Sequence, residues 1–77
     1  MFVSQVVGHP FFGVGRTLND SISDAIGQVY NEDPISVKVD NEIIPVGYNQ
    51  KMYRVSVAME SMHDSLSLLI NTKEVVL

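Results

Sequence analysis

The residues best suited to acid–base chemistry in this chain are His63 and Asp64, because a carboxylate beside an imidazole can raise its basicity. Serine hydroxyls follow and precede them closely, at positions 61, 65 and 67. Neighbouring residues point to opposite faces of a strand and lie about 100° apart on a helix, so the two side chains do not converge. No serine has the glycine pattern of a nucleophile elbow. We expect an exposed polar turn here and predict that the protein is not an enzyme.

Metal and cofactor sites are also disfavoured by the residue types. The two histidines stand far apart, at positions 9 and 63, and there is no cysteine. Residues 40–42 (Asp-Asn-Glu) lack the following glycine and distal glutamate of a calcium loop. Residues 13–16 (Gly-Val-Gly-Arg) could hold an anion before a helix, but they lack the third glycine of a dinucleotide fingerprint and the lysine of a P-loop. The sequence predicts neither a metal nor a cofactor.

Aromatic side chains in the loops are better candidates for a function. Phe11 and Phe12 are adjacent, so in an extended backbone they project to opposite sides, and at least one can be exposed. The alternative is that the loop folds over the helix end and buries both rings. Tyr48 lies in a second predicted loop, over residues 47–50. Exposed aromatic rings are favoured anchors of protein interfaces, so we expect Phe11, Phe12 and Tyr48 to bind a partner.

An acidic stripe follows one side of the predicted helix. Asp20, Asp24, Gln28 and Glu32 are spaced four residues apart, and no lysine or arginine lies among them. Such a stripe could steer a basic surface of another protein towards the helix. The alternative is an ordinary solvated helix face. We include Asp20 and Asp24 among the predicted partner-binding residues.

Length and charge restrict the kind of partner. Seventy-seven residues fit a single domain, over 1–77, whose core is small. Disulfides are excluded, so additional burial against another protein or a second copy would help stability. The net charge of −4 disfavours binding to nucleic acid and to anionic membranes. The N-terminus lacks the basic residues of a signal peptide and no stretch is long enough to span a bilayer, so we expect a cytoplasmic location.

The clearest predicted element is an amphipathic helix over about 18–31. Its apolar residues recur at helical spacing, Thr17 can cap its first turn together with Asp20, and the chain before Pro34 ends it. A strand is predicted at 2–7, and the proline and glycines of the next residues, up to Gly15, predict an irregular turn.

Alternation with a period of two predicts strands after the helix. These strands are expected at 35–39, 42–46 and 53–59, with a turn at residues 40–41. Pro45 cannot donate a ladder hydrogen bond, so the second of them is expected at an edge. Residues 61–77 fit either a helix or a hairpin that turns at 71–73 and returns over 75–77. The β-branched residues favour the hairpin.

These elements predict an α+β fold, in which the helix packs on a mostly antiparallel sheet in the order β-α-β-β-β. A right-handed crossover would result if the strands flanking the helix were parallel. The order of strand, helix and two strands over about 2–59 resembles dodecin, a small flavin-storing oligomer, although this chain has no tryptophan and a longer first loop. The resemblance implies an oligomer that stores a small ligand.

We therefore expect a small non-enzymatic protein-binding module. It would be an accessory or inhibitor protein of the kind that bacteriophages and mobile elements encode, acting in the cytoplasm by covering the surface of a partner protein. The alternatives are a homo-oligomer that binds or stores a small ligand and, third, a small oligomeric enzyme.

Overall fold

A computed structural model describes residues 1–76 as a five-stranded sheet with one helix across one of its faces. In chain order the elements are β1 Phe2–Val6, β2 Phe12–Gly15, α1 Leu18–Tyr30, β3 Ser36–Gly47, β4 Gln50–Ala58 and β5 Leu66–Glu74. Every neighbouring pair of strands is antiparallel, and the spatial order is β2-β1-β5-β4-β3. The predicted α+β class is confirmed. A strand that the sequence does not predict, β2, precedes the helix, and the two strands expected at 35–39 and 42–46 form one strand, β3. No helix in the described residues has the length and apolar character needed to cross a bilayer.

The helix α1 forms where its sequence predicts it. The Thr17 side chain accepts a hydrogen bond from the Asp20 backbone N–H, which satisfies one of the free donors of the first turn. Asn31 ends the helix in the left-handed region, at a φ of 55°, which asparagine tolerates better than most residues. Ile22, Ala25 and Ile26 are fully buried against the sheet, so the predicted apolar face is the one that packs.

The sequence predicts an irregular turn from Gly8 to Gly15. This prediction is wrong for residues 12–15, which form the edge strand β2. Gly13 and Gly15 are what allow it to form. A Cβ at Gly13 would overlap the backbone of Ser21 and Ala25, and a Cβ at Gly15 would overlap Ser21 and Asp20. The two glycines therefore bring β2 into direct backbone contact with α1, which is one of the recurrent uses of glycine in a strand.

Two further strand boundaries differ from the predictions. The expected turn at residues 40–41 is wrong, since β3 continues through it and absorbs the extra residues in register shifts between Val39 and Gly47. The resulting twelve-residue strand is the other edge of the sheet, which is the position expected for Pro45. The turn at Tyr48 and Asn49 then leads into β4, with Asn49 at a φ of 60°.

The C-terminal segment is a strand and not a helix, but it is not a hairpin. β5 runs straight through the predicted turn at 71–73 and lies between β1 and β4 as the central strand. Residues 75–76 are not in a strand, and Leu77 lies outside the described residues. A chain end that pairs on both sides gains twice the ladder bonds of a terminal hairpin arm, which explains the continuous strand.

The strands that flank α1, β2 and β3, lie at opposite edges of the sheet. Because all neighbouring pairs are antiparallel, the structure has no right-handed parallel crossover. Its order of two strands before the helix and three after it also departs from the strand–helix–strand–strand order that resembles dodecin.

A chain of buried hydroxyl groups connects the helix to the middle of the sheet. The Ser21 hydroxyl donates to the Leu18 carbonyl, so it accepts from Ser4 at 2.7 Å, and the Ser4 oxygen in turn accepts from Thr72 at 2.8 Å. All three hydroxyl-bearing residues are almost completely buried. Each group is satisfied, so the polar chain does not incur the cost of an unpaired buried donor. The surrounding apolar core comprises Val6, Ile22, Ala25, Ile26, Val55, Val57, Met59 and Ile70.

We expect Gly13→Ala to destabilise the protein by about 1–3 kcal/mol or more, because the added methyl group must push α1 away from β2. Gly47→Ala is the control, since its Cβ would meet only the Gln50 side chain, at 3.8 Å. Urea unfolding followed by circular dichroism measures both. Equal stability of the two variants would show that the contact between α1 and β2 is not as close as described.

Candidate functional site on the uncovered face of the sheet

The predicted acidic stripe of α1 is largely used within the molecule. The Asp24 carboxylate accepts a hydrogen bond from the Val14 backbone N–H at 2.9 Å, and the Gln28 side chain donates to the Phe12 carbonyl at 2.6 Å. Gln28 also contacts Asp24, at 3.4 Å. Phe12 and Val14 belong to the edge strand β2, so these helix side chains occupy the outward-facing backbone groups to which a further strand would pair.

The last member of the stripe holds a loop in place. The Glu32 carboxylate accepts from the Ser61 backbone N–H at 3.1 Å, tying the loop between β4 and β5 to the end of α1. Hydrogen bonding from the Ser61 side chain, and then from the backbone N–H groups of Ser61 and Glu60, lowers the pKa of Glu32 below its usual value. Only Asp20 of the three carboxylates is exposed without such a contact among the described residues.

The five predicted partner-binding residues do not form one site. Phe11 and Phe12 are both exposed, by 46% and 55%, so the alternative of two core rings is wrong. Tyr48 is 92% exposed at the turn between β3 and β4, the far side of the sheet from β2. Asp20 and Asp24 lie on the helix, against the opposite face from Phe12. Nothing in the structure brings these five side chains together.

The side of the sheet away from α1 is uncovered, and we call it the open face. Its side chains are identified by the strand register, which places Phe12, Gln5, Asn71, Met52 and Ile44 in one row across all five strands. Successive residues of a strand alternate between faces, and Phe12, Gln5 and Asn71 alternate with buried residues on the helix side. The pairing of Asn71 with Met52, and of Met52 with Ile44, extends the same face across β4 and β3.

Apolar side chains make up much of the open face. Phe12, Val14 and Ile44 are about half exposed, at 55%, 49% and 55%. The three others lie nearer the centre and are partly shielded by their neighbours. An exposed group of this kind, bordered by polar side chains, is typical of a surface that contacts another macromolecule. The apolar members of the open face are Val3, Phe12, Val14, Ile44, Met52 and Leu69.

Three of the five basic residues of the chain also lie on the open face, although the protein as a whole is acidic. They belong to three neighbouring strands, as Lys38 of β3, Arg54 of β4 and Lys73 of β5. Each is paired with another residue of the open face. Arg54 donates to the Ser67 hydroxyl at 3.4 Å. Among the strand residues of this face the one carboxylate is that of Asp40, which hydrogen-bonds to the Ser56 hydroxyl. The open face is therefore locally basic.

The remaining basic and acidic groups lie elsewhere. Lys51 forms an ion pair with Glu42 at 3.5 Å on the helix side of the hairpin, the one ion pair found within residues 1–76. Arg16 is exposed after β2. The residues that sequence reasoning considered for catalysis, His63 and Asp64, are both exposed in the loop between β4 and β5. No group of three potential metal ligands comes together in the part of the chain that the structure describes.

The depressions on the molecule are shallow. One of about 180 Å³ lies on the helix side, between Phe2, Tyr53 and Thr72, and one of about 120 Å³ lies on the open face beside Phe12 and Asn71. Sites that enclose a small molecule usually have volumes of about 300–1,000 Å³, which is larger than either depression. These dimensions favour recognition by a broad surface over enclosure of a small ligand.

No protein family, curated protein or solved structure matches this chain. The candidate site is therefore defined by geometry alone. Sequence reasoning found Phe12 and missed the three cations, because they come from three separate strands. The alternation of Arg54 with the buried Val55 indicated a solvent-facing position, but the register was needed to put it beside Lys38 and Lys73.

We expect Asp24→Ala to expose the Val14 backbone N–H and to lower the free energy of unfolding by about 0.5–1.5 kcal/mol. Hydrogen exchange followed by NMR measures the effect directly, as a loss of protection at the Val14 amide. Asp20→Ala is the matched control, because Asp20 is an exposed aspartate of the same helix and, among the described residues, its carboxylate accepts no hydrogen bond from β2. Unchanged protection of Val14 in Asp24→Ala would contradict the proposed role of Asp24.

We expect the hydrogen bonds of Glu32 to make stability depend on pH. Its pKa is lower in the folded than in the unfolded protein, so its contribution is present at neutral pH and is lost as the pH falls through the folded-state value. Glu32→Gln removes this part of the pH dependence, whereas Glu60→Gln leaves it in place. Urea unfolding between neutral and acidic pH measures it, and identical profiles for the wild type and Glu32→Gln would contradict the prediction.

Proposed function

We propose that the protein is a small non-enzymatic binding module that attaches to another protein through the open face. The supporting observation is the uncovered sheet surface on which Phe12, Val14 and Ile44 remain about half exposed. The helix covers the other face of the same sheet, so the buried core does not require these side chains. Association with a partner would remove their apolar surface from water, which is favourable by about 25 cal/mol per Å² before the costs of binding.

The proposed mode of contact is through side chains and not through addition of a strand. The outward backbone groups of β2 are occupied by Asp24 and Gln28. The other edge, β3, carries Pro45 and three register shifts, which interrupt the regular ladder that an added strand needs. The open face between these two edges is a broader continuous surface than either edge, so we propose that the partner contacts it through side chains. Phe12 supplies an aromatic anchor at one side of it.

A module of this kind acts by occupying a surface of its partner, without any chemical step of its own. We propose the role of an accessory or inhibitor protein, of the sort that bacteriophages and mobile elements encode, working in the cytoplasm. Tyr48 is exposed at the turn between β3 and β4 and is not assigned to the proposed contact. Asp20 and Asp24 are not part of the proposed contact, because they lie on the helix side.

The proposal is tested by photo-crosslinking in the cells that produce the protein. A photoreactive phenylalanine analogue replaces Phe12 on the open face or, as a control, Ile35, which is 68% exposed and lies outside that face. We expect a protein adduct from position 12 and none from position 35. The adduct should be lost in Ile44→Asp, because this change places a charge in the apolar surface, and retained in Ile35→Asp.

Two results would contradict the proposal. Adducts from position 35 alone would move the contact to another surface, and the absence of protein adducts from both positions would argue against a binding module. Circular dichroism of Ile44→Asp must match the wild type, so that loss of the adduct is not caused by unfolding.

A further inference from the structure

We infer that the partner surface recognised by the open face is acidic as well as apolar. This inference rests on the proposed function and specifies the chemistry of the partner. It follows from the placement of Lys38, Arg54 and Lys73 on one side of a protein whose net charge is −4. A partner of that chemistry would be an acidic segment with apolar side chains among its carboxylates.

The three cations form a diagonal line across the sheet. Lys73 is in register with Gln50 on β4, Arg54 stands four residues further along β4, and Lys38 is in register with Ser56, two residues beyond that. At about 3.4 Å per residue, the line is about 20 Å long. An α-helix of about 14 residues spans the same length, since each residue adds about 1.5 Å.

Apolar side chains lie within this line. Met52 occupies the row between Lys73 and Arg54, with Phe12 and Ile44 at the two ends of that row, and Leu69 lies directly opposite Arg54. A partner segment that follows the line therefore meets both cations and apolar side chains. Charge pairs at such an interface favour the correct partner and speed its association, while the apolar contacts supply most of the affinity.

The acidic groups of the protein itself do not cancel the local positive charge. Asp20 and Asp24 lie on α1, about 10 Å from the sheet as packed layers are spaced. Glu42 belongs to the sheet but faces the helix side, where it forms an ion pair with Lys51. The Debye length is about 8 Å at physiological ionic strength, so those charges are screened at the open face. Asp40, the carboxylate among the strand residues of the open face, accepts a hydrogen bond from Ser56, and three cations less one carboxylate leave this face with an excess of two positive charges.

Two other occupants of the open face are disfavoured. A symmetric pairing of two copies through this face would bring the three cations of one copy against those of the other. A single-stranded nucleic acid would find three cations but only one aromatic ring, that of Phe12, whereas such strands are usually held by several stacking rings. The side-chain amides on this face can also donate to carboxylates. In the free protein Gln5 donates to the His9 carbonyl at 2.7 Å and Gln50 donates to Asn71 at 3.1 Å, which leaves each of these NH2 groups a second N–H.

The inference is tested with displayed peptides. The full-length protein is immobilised and used to select from a random peptide library of about 15 residues, the length that a helix needs to follow the line of cations. We expect the selected peptides to be enriched in Asp and Glu together with large apolar residues. We also expect their binding to weaken as salt is raised from about 0.05 to 0.5 M.

The matched variants carry equal changes in net charge. Arg54→Glu with Lys73→Glu should weaken binding of the selected peptides about tenfold or more, because the contact is then repulsive. Arg16→Glu with Lys51→Glu changes the same number of charges outside the open face and should have a small effect. Thermal unfolding of both variants confirms that they are folded.

Several results would overturn the inference. Selected peptides that are neutral or basic, or that bind both double variants equally, would leave a binding module whose partner is not acidic. Binding of a single-stranded oligothymidine of about 20 nucleotides that is lost in Arg54→Glu with Lys73→Glu would identify nucleic acid as the occupant. A dimer in light scattering that Ile44→Asp dissociates would identify a second copy. If no peptide is selected and position 12 gives no adduct, the proposed function itself fails.

Discussion

The close contact between α1 and β2 is the interaction on which the rest of the structure depends. Gly13 and Gly15 remove the side chains that would keep the helix backbone away from the strand. Asp24 and Gln28 then reach the edge of β2 and bind the backbone groups of Val14 and Phe12. Without this contact β2 would present an open edge, and α1 would have no fixed position across the sheet. The same contact puts the hydroxyl groups of Ser21 and Ser4 within hydrogen-bond distance in the core.

Fixing α1 on one side of the sheet separates the molecule into two chemically different surfaces. The helix side contains the apolar core, Asp24 of α1 and Glu32 just after it, and both of these carboxylates accept hydrogen bonds from backbone N–H groups of the same protein. The other side has no helix to cover it and displays half-exposed apolar side chains together with three cations. A net charge averages over these two surfaces, so it describes neither. The excess of negative charge therefore does not determine what the open face can bind.

Local patterns predicted the elements whose stability is local. The capped amphipathic helix, the first strand and the alternating strand around Val55 are where the sequence indicates them, because apolar periodicity and capping act over a few residues. The errors concern segments whose conformation depends on distant partners. Gly13 and Gly15 favour a turn until a helix packs on them, and residues 40–41 remain extended because β4 pairs with both sides of the bulge. Residues 71–73 are likewise held straight between β1 and β4.

For the candidate site, too, some features followed from the sequence and others only from the tertiary structure. The sequence by itself determined the α+β class and the position of the amphipathic helix, and it contains no motif for metal or cofactor chemistry. It left open whether the rings of Phe11 and Phe12 reach solvent, which the structure decided. The sequence also determined which strand residues alternate towards water. Only the tertiary structure decided that the acidic stripe serves the edge of β2 and that Lys38, Arg54 and Lys73 share a surface. The physical reason is that these relations join residues up to 35 positions apart (Lys38 to Lys73) through strand register, and register is set by long-range pairing and not by local sequence.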